Sequence, residues 1–361
     1  FTWWVNKVDH EGNNIFEGGF LGLDNITVIE RSTPPPDGAT LEQSDATGWM
    51  GMYCLNMMRI ALELAKENNA YEPLATKFFE HFVRIAASMK RMGSFGYHLW
   101  DEDDGFFYDV LRYPDGRFSK LRIRSLVGLI PLFAVERLEE DWIEQFPSFK
   151  ANFHWFLDKR KSLVDECVTT VNHDHQVTHV LAMVRSEQME QLLRKLSDPA
   201  EFWGPYGIRS LSQFHEAHPF SYGSETVAYE PGESTSHHKG GNSNWRGPVW
   251  MPTNFLMVET LRKLQKAYRD RFPVPDPADG QATLQLEELA ERLANHLLAI
   301  FTRTRTGARP LYGQHPLFRT PPWQDALLFF EHFDAESGRG LGASHQTGWT
   351  GLVANLIDEW R

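Results

Sequence analysis

Apolar residues recur at helical spacing through much of the chain. Trp49, Met52, Tyr53, Met57, Ile60 and Leu64 keep a period near that of a helix, which predicts one running to about Asn69 from Ser44 or Asp45, either of which can cap it. Leu74, Phe78, Phe82, Ile85 and Met89 continue the pattern from about Pro73 to Met92, with Pro73 suited to a first turn. The short connection between the two predicts an antiparallel hairpin. Further helices are expected at 121–139, 142–157 and 184–196, from Asn244-Trp-Arg-Gly-Pro-Val-Trp250 to about Tyr268, at 283–302, and from about Gly348 to Glu359.

Breaks in the pattern carry their own information. Thr33-Pro-Pro-Pro-Asp-Gly38 ends any regular element, and the turns at Asp104-Gly105 and Pro114-Asp-Gly116 predict a small β excursion. Residues 202–243 are rich in glycine and serine and lack a period; a connection of that length in a compact protein is usually functional, so it reads as a long active-site loop. Residues 272–282 read as an exposed linker within the bundle, since helix resumes after them. The sum is an all-α chain forming one domain over 1–361. Helical hairpins stacked in a closed ring would gather their loops at one end. The opening Phe1-Thr-Trp-Trp-Val-Asn-Lys7 has no cap and reads as a start inside a helix, hence as part of a longer polypeptide.

Charge and composition narrow the partners. Of 361 residues 42% are hydrophobic, which excludes disorder, and no stretch is apolar enough for a membrane span. The net charge of −12 argues against a nucleic-acid surface and suits a neutral substrate. Cys54 and Cys167 make no disulfide framework, which favours a reducing compartment. Asn25-Ile-Thr27 is a glycosylation sequon beside the candidate site described below, so the chain either never meets the glycosylation machinery or buries Asn25; a bacterial cytoplasm is expected.

The chemistry is concentrated where glycines, acids and rings meet. Three glycines alternate with large apolar residues in Asn14-Ile-Phe-Glu-Gly-Gly-Phe-Leu-Gly-Leu-Asp-Asn25, a pattern of close backbone approach that reads as the wall of a pocket. No phosphate-binding glycine loop with Lys-Ser/Thr, Gly-x-Ser-x-Gly elbow or paired-cysteine motif is present. Asp101, Glu102, Asp103 and Asp104 lack EF-hand spacing, and His173, His175 and His179 show no helical pairing with a carboxylate, so neither a metal nor a cofactor is expected. What remains is carboxylates with aromatics, the combination that binds sugars: rings stack on sugar faces, and two carboxyls supply an acid for the leaving oxygen and a base for water.

Six motifs occur in an order that resembles glycoside hydrolase family 63: Gly18-Gly-Phe-Leu-Gly-Leu-Asp-Asn25, Leu41-Glu-Gln-Ser-Asp-Ala-Thr-Gly-Trp49, Leu99-Trp-Asp-Glu-Asp-Asp-Gly-Phe-Phe-Tyr-Asp109, Tyr206-Gly-Ile-Arg-Ser-Leu-Ser212, Asn244-Trp-Arg-Gly-Pro-Val-Trp250 and Ser344-His-Gln-Thr-Gly-Trp-Thr-Gly351. The resemblance covers nearly the whole chain. It implies an (α/α)6 toroid-type barrel, incomplete at its start, and an inverting hydrolase of α-glucosidic bonds in small oligosaccharides. Asp24 falls at the position of the family's general acid and Glu331 at that of its base, in a Phe330-Glu-His-Phe333 context where the family has Trp-Glu-Gln-Tyr. Candidate substrate contacts are Phe20, Asp45, Trp49, Tyr206, Arg209, Trp245, Arg246, Trp250 and Trp349.

Alternatives stay open at this level. Asp24 and Asp45 can instead cap turns or helices, Asp45 being also the second candidate for the acid. Glu331 can pair with an arginine, and Trp245 and Arg246 can be core packing. A sugar epimerase using His173, His175, His237 or His345, or an inactive carbohydrate-binding scaffold, would carry the same composition.

Overall fold

The computed structural model describes residues 16–17, 23–31, 33–90, 98–236 and 243–360. Its longer helices are α1 (Ser44–Ala65), α2 (Glu72–Lys90), α3 (Pro147–Lys159), α4 (Ser186–Ser197), α5 (Met251–Tyr268), α6 (Leu286–Phe301) and α7 (Val353–Trp360). Consecutive helices α1 and α2 pack along one another, as do α5 and α6. None of the described helices is long and apolar enough to cross a membrane.

Helix α1 forms where expected but buries a different face. Met50, Gly51, Cys54, Leu55, Met58, Ala61, Leu62 and Ala65 face the core, while Tyr53, Ile60 and Leu64 are exposed. The reason is size: the core-facing side has several small residues, and a methyl on Gly51 would stand 2.7 Å from the Met183 sulfur. Close approach of the backbone outweighs the larger area of the other stripe. On α2 the expected face is buried at Phe78, Phe82, Ile85 and Met89, with Leu74 left exposed at its start.

The chain is helical without being purely so, because small antiparallel sheets fill several connections. One orders β1 (Phe16–Glu17), β2 (Thr40–Gln43), β3 (Asp109–Arg112) and β4 (Phe118–Leu121) side by side. A second places β7 (Gln176–Ala182) between β5 (Val135–Glu139) and β6 (Val168–His173). The expected helix over 121–139 is therefore replaced by Leu126–Leu129, a 3-10 turn at Ile130–Phe133, and strand β5. Pro131, without an N–H, suits the tight turn, and β5 finds its backbone partners on β7. Likewise the helix expected from 142 starts only at Pro147, its first residue, after a separate turn at Glu140–Ile143. The last helix is split into Thr347–Thr350 and α7.

Two stretches read as irregular are ordered hairpins. Within 202–236, Trp203–Gly204 pairs with Gly207–Ile208 and Phe220–Tyr222 with Glu225–Val227, while 237–242 lie outside the described residues. In the supposed linker, Val274–Pro275 pairs with Thr283–Leu284, and Phe272 and Val274 are buried. The main apolar cluster runs from Phe16 to Leu356; a smaller one, including Val28, Leu41, Leu111 and Leu121, lies against the four-stranded sheet.

Candidate active site

The segment carrying Asp24 is held by residues more than two hundred positions away. Asp24 itself is half-buried in a turn closed by the Ile26 amide donating to the Leu23 carbonyl at 3.2 Å. Next to it Asn25 is buried: its amide donates to Ser234 Oγ (2.8 Å) and Asn244 Oδ1 (3.2 Å), and its Oδ1 accepts from the Trp245 backbone N–H (2.7 Å). The Arg246 guanidinium donates to the carbonyls of Asn25 (2.7 Å), Thr226 (3.2 Å) and Thr27 (3.4 Å). Phe20 and the glycines Gly18, Gly19 and Gly22 lie outside the described residues. With Asn25 fully engaged, the sequon is internal and has no room for a glycan in this fold.

Rings form the floor. Trp245 stacks on Trp250 with centroids 3.7 Å apart and planes 6° from parallel, and Trp250 stacks on His332 at 4.5 Å and 18°. Trp250 Nε1 donates to the Asn244 carbonyl at 2.9 Å, which orients the middle ring. Trp349, partly exposed on the turn Thr347–Thr350, leans toward Trp250 at 5.8 Å. Trp245 Nε1 and His332 Nδ1 are buried without a hydrogen-bond partner among the described residues. For the histidine the consequence is electrostatic: burial pushes its pKa down to about 4, so the ring stays neutral near neutral pH.

Glu331 immediately precedes the last ring of the stack. It extends from a short hairpin in which His332–Phe333 pairs with Gly340–Leu341. Its backbone N–H donates to the Ala343 carbonyl at 2.8 Å, and its carboxylate accepts only the Ala343 N–H, at 3.3 Å, with no cation beside it among the described residues. Gly342, at φ +68°, lies against the carboxylate, where a methyl would come within 2.6 Å of Oε2. Among the described residues no arginine pairs with Glu331.

Several expected substrate contacts are spent on the protein itself. Asp45 is fully buried and bonded to Arg31 at 2.5 Å, and the same guanidinium bonds Asp109, also at 2.5 Å. Asp109 in turn accepts the Ser44 N–H at 2.9 Å while Asp45 Oδ1 accepts the Ala46 N–H at 2.8 Å, so the first turn of α1 is capped by two carboxylates, one of them brought in from β3. Burial pushes Asp109 up to about 6, against the pull of Arg31 and with the help of the neighbouring Asp45. Arg209 is buried and bonded to the carbonyls of Pro199 and Trp203, to Tyr229 and to Glu336, so it ties loops together. Arg246 has the parallel role described above. Trp49 packs on Phe133 at 5.6 Å. Tyr206, at a hairpin turn, lines a cavity of about 720 Å³ with Tyr312, Phe318, Phe330, Arg309 and Arg339.

The arrangement unites Trp245, Trp250 and Trp349 with two half-buried carboxylates, Asp24 joined to the stack through Asn25 and Glu331 through His332. The C-terminal domain of glycosyl hydrolase family 63 matches residues 30–307. The chain belongs to that family. Its relatives include the uncharacterized protein YMR196W of Saccharomyces cerevisiae, 46% identical over 99% of this chain and 35% of the relative. A probable mannosyl-oligosaccharide glucosidase of Schizosaccharomyces pombe is 27% identical over 55% of this chain and 19% of that protein. The mannosyl-oligosaccharide glucosidase of Saccharomyces cerevisiae is 21% identical over 90% of this chain and 27% of its own length. This family 63 chain therefore spans about a third or less of the length of these curated relatives.

Arg31, Asp109 and His332 were not singled out from the sequence as parts of this region. Asp109 lay in a quoted motif, but nothing local marks it as the cap of a helix that begins 65 positions earlier.

Proposed function

We propose that this chain is the catalytic part of an inverting α-glycosidase acting on α-glucosidic bonds in small oligosaccharides, built as a single (α/α)6 barrel with its site at the loop end. The observation that supports the reading is that the neighbours of both carboxylates meet one aromatic stack: Asn25, next to Asp24, holds the Trp245 backbone, and His332, next to Glu331, stacks on Trp250. In this scheme Asp24 protonates the oxygen of the departing sugar, and Glu331 takes a proton from the water that attacks the opposite face of the ring. An inverting pair needs about 6.5–9.5 Å between carboxyls to admit that water. Trp349 is exposed enough to offer ring surface to a sugar, and the absence of a cation beside Glu331 among the described residues leaves its carboxylate available to water. The names of these relatives support the choice of a glucosidic bond.

The test is proton NMR of the full-length protein with α-linked glucosyl disaccharides, following the anomeric signals. β-Glucose is expected to appear first, and Asp24→Asn and Glu331→Gln are each expected to lower kcat by at least about a hundredfold, the scale of an acid or base contribution. α-Anomer released first, or rates unchanged in both variants, would overturn the assignment.

A further inference from the structure

Away from the aromatic stack, three donors from separate elements converge. Glu140 opens the turn Glu140–Ile143, His154 lies on α3 and His179 on β7. Glu140 Oε1 is 3.0 Å from His154 Nε2 and Oε2 is 2.8 Å from His179 Nε2, and all three donor positions lie within 4.8 Å of one another. We propose that Glu140, His154 and His179 bind one divalent transition-metal ion of the zinc class, which clasps α3 to the three-stranded sheet.

The donor set decides the class. Two imidazole nitrogens and one carboxylate suit zinc, cobalt or nickel, whereas calcium and magnesium call for oxygen ligands. Zinc bonds of about 2.0–2.2 Å place tetrahedral donors about 3.4 Å apart, so the glutamate–histidine contacts have to open by only about half an ångström. Three protein ligands leave a fourth position for water. The outer contacts fit as well. His179 is buried, and its Nδ1 is 2.9 Å from the Thr170 hydroxyl, which can accept from Nδ1–H and so present the Nε2 lone pair to an ion. Lys150 now touches Glu140 Oε1 at 2.7 Å, but it also bonds Glu144, and an arriving cation would leave it on that second carboxylate.

The experiment uses untagged full-length protein stripped with a chelator and titrated with Zn2+ against a chromophoric competitor, with Co2+ absorption recorded in parallel. One equivalent of zinc is expected to bind, with Co2+ showing the d–d bands of a nitrogen- and oxygen-ligated low-coordinate ion. His154→Ala is the informative variant because that ring is half-exposed and its loss leaves the core intact; it is expected to weaken zinc binding at least tenfold without moving the metal-free melting temperature. Glu140→Gln is expected to weaken it similarly. The absence of stoichiometric binding, unchanged affinity in both variants, or Ca2+ binding as tight as Zn2+ would each overturn the proposal.

Discussion

Removing Arg31 tests whether the base of α1 is organised as the structure indicates. Its guanidinium lies between Asp45 and Asp109, 2.5 Å from each, and all three groups are almost wholly buried. Arg31→Met keeps an apolar chain of similar length but strands two carboxylates away from water, and breaking a buried pair in this way costs about 3–5 kcal/mol. Unfolding entropy of about 2.1 cal/mol/K per residue over 361 residues converts that loss into a fall of about 4–7 °C in melting temperature. The pH dependence is the sharper signature. Asp109 already sits up at about 6 with Arg31 present, so without the arginine it rises further. A carboxyl whose folded pKa exceeds its unfolded value near 3.9 contributes stability that is full below 3.9 and lost as pH rises through the folded value. The gap between variant and parent should therefore be widest near pH 7.5 and narrow as pH falls below 6. Thermal melts by circular dichroism at pH 7.5, 6.5 and 5.5 measure it. A fall of less than about 1 °C at pH 7.5, or a gap that widens on acidification, would refute the reasoning.

Two further outcomes follow from the stack and its hairpin. His332, held down at about 4 by burial, remains neutral in the fold while the unfolded chain takes up a proton below about 6.5, so its contribution is present above that value and lost as pH falls toward 4. Urea melts of the parent should show about 2.5 kcal/mol of this loss by pH 4.5, and His332→Gln, which has no proton to gain, should lack it; parallel curves would count against the buried neutral ring. Gly342→Ala places a methyl 2.6 Å from Glu331 Oε2 at a φ of +68°. It is expected to cost about 1–2 kcal/mol of stability while lowering kcat at least about tenfold, and unchanged kinetics would show that the carboxylate is not held by that glycine.

The helices were the legible part of the fold. The long periodic stretches that became α1, α2, α4, α5 and α6 could be placed within a few residues, because their patterns run for three turns or more. Faces were harder: on α1 the larger side chains suggested one stripe, and the opposing Met183, invisible to a local pattern, selected the other. The three-stranded sheet was missed although Val168-Thr-Thr-Val171 is rich in β-branched residues and Asp174 and His175 both take the positive φ of a tight hairpin turn. There the run of histidines drew attention to metal spacing along the chain, whereas His179 meets Glu140 across 39 positions. Arginines misled for the same reason. Arg209 and Arg246 looked like hydroxyl ligands in aromatic motifs, but both bond carbonyls, and Arg209 also Tyr229 and Glu336, groups brought in from other parts of the chain that no local reading can supply. The family resemblance drew attention to Asp24 and Glu331; the aromatic stack that meets their neighbours Asn25 and His332 emerged only from the fold.

The bonds from Arg246 and Trp245 to Asn25 also impose an order in time. The Asp24 turn leaves the ribosome well before the guanidinium that braces it, which lies 221 positions later in the chain. At about 5–20 residues added per second, some 10–45 s separate the synthesis of the two. Through that interval the turn lacks its Arg246 brace, and the Glu331 hairpin is made later still. A nascent chain that stops short of Glu331 thus lacks both halves of the candidate site in register, and that site comes together only once the Glu331 hairpin has been made.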